Sequence, residues 1–334
     1  MMRHRQAITR RSLLLGTAAS ASLGVTRALA QGAGNWPNHP VRLIVPYPAG
    51  GSTDVLFRLL AEKLKDKLGQ PFVVENRPGA SGNVGIDAVA KSAPDGHTIG
   101  AATVGHFSIN QFLVARMPYD AERDLIAPSL TYELPNVAVV AAQHVPAKTL
   151  EEFIAWAKAR PNGISIGSPG PGTTPHLSGV LFAARTGINA VHVPFRGAAQ
   201  TIPAMLSGDV NFAVDNLASY ISQIESGAMR ALAVTSAQRW PTMPNVPTMA
   251  EAGVKDFVVT SWAAYVVPTG TPPAIVDRLS AVHKEIAADE AMQKRFLGAG
   301  ARLLFSTAAE AKDFAAKETV MWRETVRLAG LTPQ

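Results

Sequence analysis

The chain of 334 residues has no cysteine. Disulfides, thiolate nucleophiles, iron–sulfur clusters, zinc ribbons and a lipid anchor on an N-terminal cysteine are therefore excluded. The sequence also lacks a Gly-x-Ser-x-Gly elbow, a Walker loop and a His-Glu-x-x-His helix, so hydrolase or metalloenzyme chemistry has no anchor in it. His39, His97, His106, His144, His176, His192 and His283 fall at no metal-ligand spacing, and neither a metal nor a cofactor is expected. The run Gly79-Ala80-Ser81-Gly82-Asn83-Val84-Gly85 lacks the first Gly-x-Gly of a dinucleotide fingerprint and follows no clean strand. Charge is sparse too: Asp, Glu, Lys and Arg make up 17% of residues, with a net charge of +6. Arg3, Arg5, Arg10, Arg11 and Arg27 account for five of those six charges, and no aromatic-basic run follows. Nucleic acid is thus not an expected partner.

Those arginines precede or flank an uncharged stretch, Ser12 to Thr26, which is too short for a comfortable membrane span and is followed by Ala28-Leu29-Ala30. Residues 1–30 read as an export signal, and Thr9-Arg10-Arg11-Ser12-Leu13-Leu14 resembles its twin-arginine form. A periplasmic location and a freely soluble, monomeric mature chain from about Gln31 are expected.

The most informative segment follows. The apolar run Val41-Arg42-Leu43-Ile44-Val45 stops at Pro46-Tyr47-Pro48-Ala49-Gly50-Gly51-Ser52-Thr53-Asp54, after which Leu56, Leu60, Leu64 and Leu68 recur every fourth residue. This is strand, loop and helix, with Ser52 or Thr53 as the expected cap. Glycines let the backbone approach a ligand, and a helix N-terminus behind them favours an anion. The plan returns at Ile188–Val193, ending in Pro194-Phe195-Arg196-Gly197-Ala198-Ala199. Pro94-Asp95-Gly96 and Pro161-Asn162-Gly163 each feed a short strand. Apolar strand runs alternate with helical periodicity to the end of the chain, predicting two α/β lobes with parallel sheets covered by helices and ligand loops at their strand ends. Val137–Ala142 and Ala231–Thr235 are the expected crossing segments. They place one lobe at 31–136 plus 238–334 and the other at 137–237.

Taken in order, several motifs resemble the Bug-type substrate-binding proteins of tripartite tricarboxylate transporters. They include Val45 to Asp54, Val74-Glu75-Asn76-Arg77-Pro78-Gly79-Ala80-Ser81-Gly82-Asn83, Gly172-Thr173-Thr174-Pro175-His176-Leu177, Val191-His192-Val193-Pro194-Phe195-Arg196-Gly197, Asp215-Asn216 and Pro244-Asn245-Val246-Pro247-Thr248-Met249. The resemblance implies a two-lobed type II periplasmic binding-protein fold that is not an enzyme. Its partners would be a small carboxylate ligand, held between the lobes, and the membrane subunits of such a transporter. It implies a site made of Tyr47, Pro48, Ala49, Gly50, Gly51, Ser52, Thr53 and Asp54 in one lobe, and Ser168, Gly172, Thr173 and His176 in the other. Phe195, Arg196 and Asp215 would line the cleft. Thr103-Val104-Gly105-His106-Phe107 departs from the family pattern, as does Phe195-Arg196, where tyrosine-lysine is common. Tyr47, Phe107, Phe195 and Trp262 together would sandwich an aromatic acid. Two other readings stay open: a ligand sensor for a signalling partner, and an exported enzyme acting on carboxylates.

Overall fold

The computed structural model describes residues 36–333, so the expected export signal at 1–30 lies outside the described residues. The fold is mixed α/β. Its strands are β1 (Val41–Val45), β2 (Phe72–Asn76), β3 (Thr98–Thr103), β4 (Leu125–Ile126), β5 (Leu130–Ala141), β6 (Ile164–Ser168), β7 (Ala190–Pro194), β8 (Phe212–Asn216), β9 (Met229–Val234), β10 (Thr260–Pro268) and β11 (Arg302–Leu303). They form one continuous sheet in the order β2-β1-β3-β10-β5-β8-β6-β7, with β9 and β11 also on β5 and β4 on β10.

The twelve-residue β5 explains how one sheet serves two lobes. Its first part pairs antiparallel with β10, Tyr132 opposite Ala263, and its second part pairs antiparallel with β8 and β9, Val137 opposite Asp215 and Val234. On the first side β1 runs parallel to β2 and β3, and on the second β6 runs parallel to β7 and β8. Because β5 is antiparallel to β8 and lies in the same sense as β1, the carboxyl ends of the parallel strands of both sides meet near Asn136. Pro135, opposite Thr260, sits where β5 changes partners. A proline mid-run argues against a strand on sequence grounds, which is why only the part from Val137 is legible there.

The return crossing differs from expectation. All of β9 pairs with the second part of β5, Val234 bridges Thr248, and Trp240, Met243 and Val246 pack with Met229 and Val234. The chain thus recrosses at Val259–Ser261 and not at Ala231–Thr235. Thr235 fastens that point: its N–H donates to Asn136 O at 2.9 Å and its hydroxyl donates to Val259 O.

Helix α1 (Ser52–Leu68) buries Leu56, Leu60 and Leu64 completely against Leu43, Ile99 and Phe296, each contributing roughly 1.5–3 kcal/mol of burial. Gly69, at φ 74°, ends it in the left-handed region that favours glycine. On the second side Phe153 stacks on Phe212 and Phe182 packs against them at a tilt, forming an aromatic core. The helices that come next along the chain are α2 (Asn83–Ala90), α3 (Ala121–Asp124), α4 (Leu150–Lys158) and α5 (Thr174–Thr186). They are followed by α6 (Ala198–Leu206), α7 (Leu217–Glu225), α8 (Pro273–Ala288), α9 (Glu290–Gly298) and α10 (Ala308–Leu328). No helix among the described residues is long and apolar enough to cross a membrane.

Candidate functional site

Between the two groups of strand ends lies a small cavity of about 60 Å³. Four helices point their N-termini at it. The N-cap residue of each lines the wall: Gly51 of α1, Thr173 of α5, Gly197 of α6 and Asn216 of α7. First-turn N–H groups have no intrahelical acceptor and carry the positive end of the helix dipole, so their convergence favours an anion. Among the described residues lining the cavity there is no lysine, arginine or histidine; Asp215 is the one carboxylate there.

The first-lobe loop is held from behind. Asp54 is buried and accepts from Gly50 N–H at 2.9 Å, Arg58 Nε at 3.0 Å and Asn76 Nδ2 at 2.9 Å, and the same Asn76 amide donates to Tyr47 O at 2.9 Å. Burial opposes ionisation of Asp54, but the bonds from Arg58, Gly50 and Asn76 outweigh it and hold the carboxyl below its usual range. Tyr47 shares a 3.0 Å hydrogen bond with the Thr103 hydroxyl on the cavity wall, and burial pushes its phenol up to about 12. His106 lies beneath. Its Nδ1 accepts from Thr103 N–H at 2.9 Å, while burial pushes the imidazole down to about 3 and keeps it neutral.

The lobes touch directly. Ser52 N–H donates to Ser219 Oγ at 3.0 Å, and Asn216 Nδ2 donates to Ser52 Oγ at 3.1 Å. The expected cap by Ser52 or Thr53 therefore does not form; Gly51 is the N-cap, and Ser52 spends its hydroxyl across the cleft. Ser261 Oγ donates to Asn216 Oδ1 at 2.7 Å and also meets Thr174 Oγ1. At the mouth Ser81 Oγ donates to Pro171 O. Gly197, at φ 141°, packs so near Pro48 that a Cβ there would lie 3.2 Å from its Cγ.

Of the residues inferred from sequence, Tyr47, Pro48, Gly51, Ser52, Thr53, Thr173 and Asp215 line the cavity. The others are not on its wall. Ala49 and Gly50 are exposed at the loop tip, and Asp54 is turned inward by its tether. Buried Ser168 bonds His192 Nε2 at 2.7 Å, and Gly172 donates its N–H to Nδ1 of His176, whose ring packs at a tilt against His192, centroids 4.3 Å apart. These side chains build the turn before α5 and leave its N-terminus to face the ligand space. Phe195 packs beside Val193 and Met205, and exposed Arg196 has its backbone N–H on Gln200 while Gly197 takes the inward position. The aromatic sandwich does not assemble. Tyr47 and Trp262 line the cavity, but Phe107 stacks behind Trp262 at 5.5 Å.

Missed wall residues include Thr103, Val104, Gly105, Tyr132, Leu134, Asn216, Ser219 and Ser261. Thr103 to Gly105 carried a signal, since they stand where the sequence departs from the family pattern, and Asn216 lay within a quoted motif. Tyr132, Leu134, Ser219 and Ser261 reach the wall through strand and helix register alone.

The sequence pattern of the "tripartite tricarboxylate transporter family receptor" matches residues 56–331. The chain belongs to this receptor family. It is 36% identical over 299 residues to protein BugT of Bordetella pertussis, covering 89% of this chain and 91% of BugT. Among solved structures, Rpa4515 of R. palustris with adipate is 33% identical with a TM-score of 0.87, covering 90% of the receptor and all of that chain. The periplasmic binding protein BugD is 32% identical with a TM-score of 0.85, over 90% of the receptor and all of BugD. The family consists of substrate-binding proteins that act in the periplasm with transporters.

Proposed function

We propose that this receptor captures a small organic carboxylate between two lobes, residues 36–136 with 259–333 and residues 137–258, and presents the closed form to the membrane subunits of a tripartite tricarboxylate-type transporter. The observation that carries the reading is the meeting of four helix N-caps on a cavity without a cationic side chain. Such a wall stabilises one carboxylate by N–H groups and helix dipoles, and exclusion of bulk water strengthens each bond. The related Rpa4515 is seen with adipate, a small dicarboxylate. Contacts such as Ser52 to Ser219 exist only with the lobes together, so a ligand that touches both lobes shifts the hinge toward closure. Delivery to the periplasm by a twin-arginine signal rests on Thr9 to Leu14. The wall offers hydroxyls but no nucleophile–base pair, which favours binding over turnover.

The test is thermal unfolding of the chain from Gln31 against mono-, di- and tricarboxylates. A ligand at a concentration of 100 Kd adds about 2.7 kcal/mol to native stability. A rise in Tm with one class supports the reading. No rise with any acid, together with no acid released on denaturation by mass spectrometry, overturns it.

A further inference from the structure

Asp215 stands one residue before the end of β8, 1% exposed, in the wall of the cavity. Its Oδ1 accepts from Asn216 N–H at 2.6 Å and its Oδ2 from the Tyr220 hydroxyl at 3.0 Å. An ionised carboxylate has room for about four such bonds and, when buried, needs them or a cation. Neither is supplied. The titratable groups around it are Tyr220 on α7, Tyr47 and Tyr132 across the cavity, and His176 on α5, the helix that packs on β8. Burial raises all three phenols and lowers His176 to about 4, so each is neutral at pH 7. Asp54, the next carboxylate toward the first lobe, is tied to Arg58 behind its loop.

This arrangement is hard to reconcile with two negative charges. A ligand carboxylate seated among the N-caps brings one, and an ionised Asp215 beside it would bring a second into the same water-poor space. Two carboxylates sharing such a site cannot both ionise freely, and one takes a proton. We propose that Asp215 is the specificity-determining acid of the cleft, meeting the ligand as a neutral carboxyl that donates a hydrogen bond to a carboxylate oxygen. Capture of each carboxylate from alkaline solution then takes up one proton. The ligand class is a carboxylate with no ammonium on the face toward Asp215. Burial already lifts this carboxyl to about 7 without ligand, against the bonds from Asn216 and Tyr220 that lower it.

The inference rests on the carboxylate-receptor reading, and the experiment separates the two. Titration calorimetry with malonate, malate, adipate, benzoate and glutamate is run on wild type and Asp215→Asn from pH 6 to 9, in buffers of different ionisation enthalpy. For the acid that binds, the expected Kd is flat near pH 6 and rises up to tenfold per pH unit above pH 8, with a buffer-dependent heat equal to one proton taken up. Asp215→Asn, with wild-type circular dichroism, flattens that rise and binds more tightly than wild type at pH 9. A carboxylate that binds with a flat Kd and no proton uptake overturns the role of Asp215 and leaves the receptor reading standing. Preference for glutamate, with loss of binding in folded Asp215→Asn, also overturns it, because Asp215 would then be an ionised partner of an ammonium. No binding by any acid at any pH removes the receptor reading and the role together.

Discussion

The two sides of the cleft are unequal. The first lobe contributes one helix N-cap, Gly51, on a loop whose shape is dictated by a single buried carboxylate, Asp54. The second lobe contributes three N-caps and Asp215, on turns held by neutral groups: Ser168 with His192, Thr173 with Gly170 O at 2.7 Å, and Gly172 with His176. The second lobe therefore resembles the seat and the first the cover. A cover tied by a charged network keeps its shape when lifted off, whereas a seat of neutral donors offers its N–H groups without a competing cation.

The sharpest way to break this contrast is Asp54→Ala. It leaves Gly50, Arg58 and Asn76 without their shared acceptor, and a native-state loss of about 2–3 kcal/mol is expected, with carboxylate affinity down at least a hundredfold. Denaturant unfolding and calorimetry measure both; near-wild-type affinity would show that the cover does not depend on its tether. Next in size is Gly105→Ala on the first-lobe wall. Its added Cβ would lie 3.3 Å from Gly172 O across the cleft, an ordinary backbone conformation allows it, and a loss of roughly tenfold in affinity with unchanged Tm is expected. Small-angle scattering with saturating ligand would reveal a wedged cleft; full closure would refute the wedge.

Ser52→Ala removes the hydroxyl that accepts from Asn216, and one such bond is worth about 1 kcal/mol, or roughly fivefold in affinity. An unchanged Kd would mean that the lobes close without it. The smallest effect separates the tethers by pH. The lowered Asp54 carboxyl contributes stability that is present above its unfolded range and lost as pH falls through its folded value, below about pH 4. His106 and His176, pushed down to about 3 and about 4, contribute stability present above about pH 6.5 and lost as pH falls from there. Asp215, lifted to about 7, works the other way and gains stability as pH falls from there, so the histidine loss is read as a difference between variants: from pH 6.5 to pH 4.5 the Tm of His176→Gln should fall less, or rise more, than that of wild type. Equal changes of Tm in wild type and His176→Gln over that range would contradict the assignment of a neutral His176.

Much of this was legible in residues, for identifiable reasons. Leu56, Leu60 and Leu64 announce α1 because helical periodicity is local, and Val45 to Asp54 announces the first loop because prolines and glycines restrict or free the backbone on the spot. Asp54 was legible as important, but its tethering was not, since the partners that turn it inward, Asn76 and Arg58, include one from another strand. At the turn of Phe195 and Arg196 it is Gly197 that lines the cavity, close to Pro48 in the other lobe, a placement that neighbours in sequence do not reveal.

By itself the sequence determined the alternation of strands and helices, the loops that open each helix, the absence of thiols, and the family. These follow from neighbours a few residues apart. Only the tertiary structure decided that β5 runs through Pro135 to join both lobes, that the chain recrosses at Val259–Ser261, and that the wall lacks a cation but holds Asp215. Those facts depend on register between strands far apart in the chain, where a shift of one residue would turn each side chain to the opposite face of the sheet.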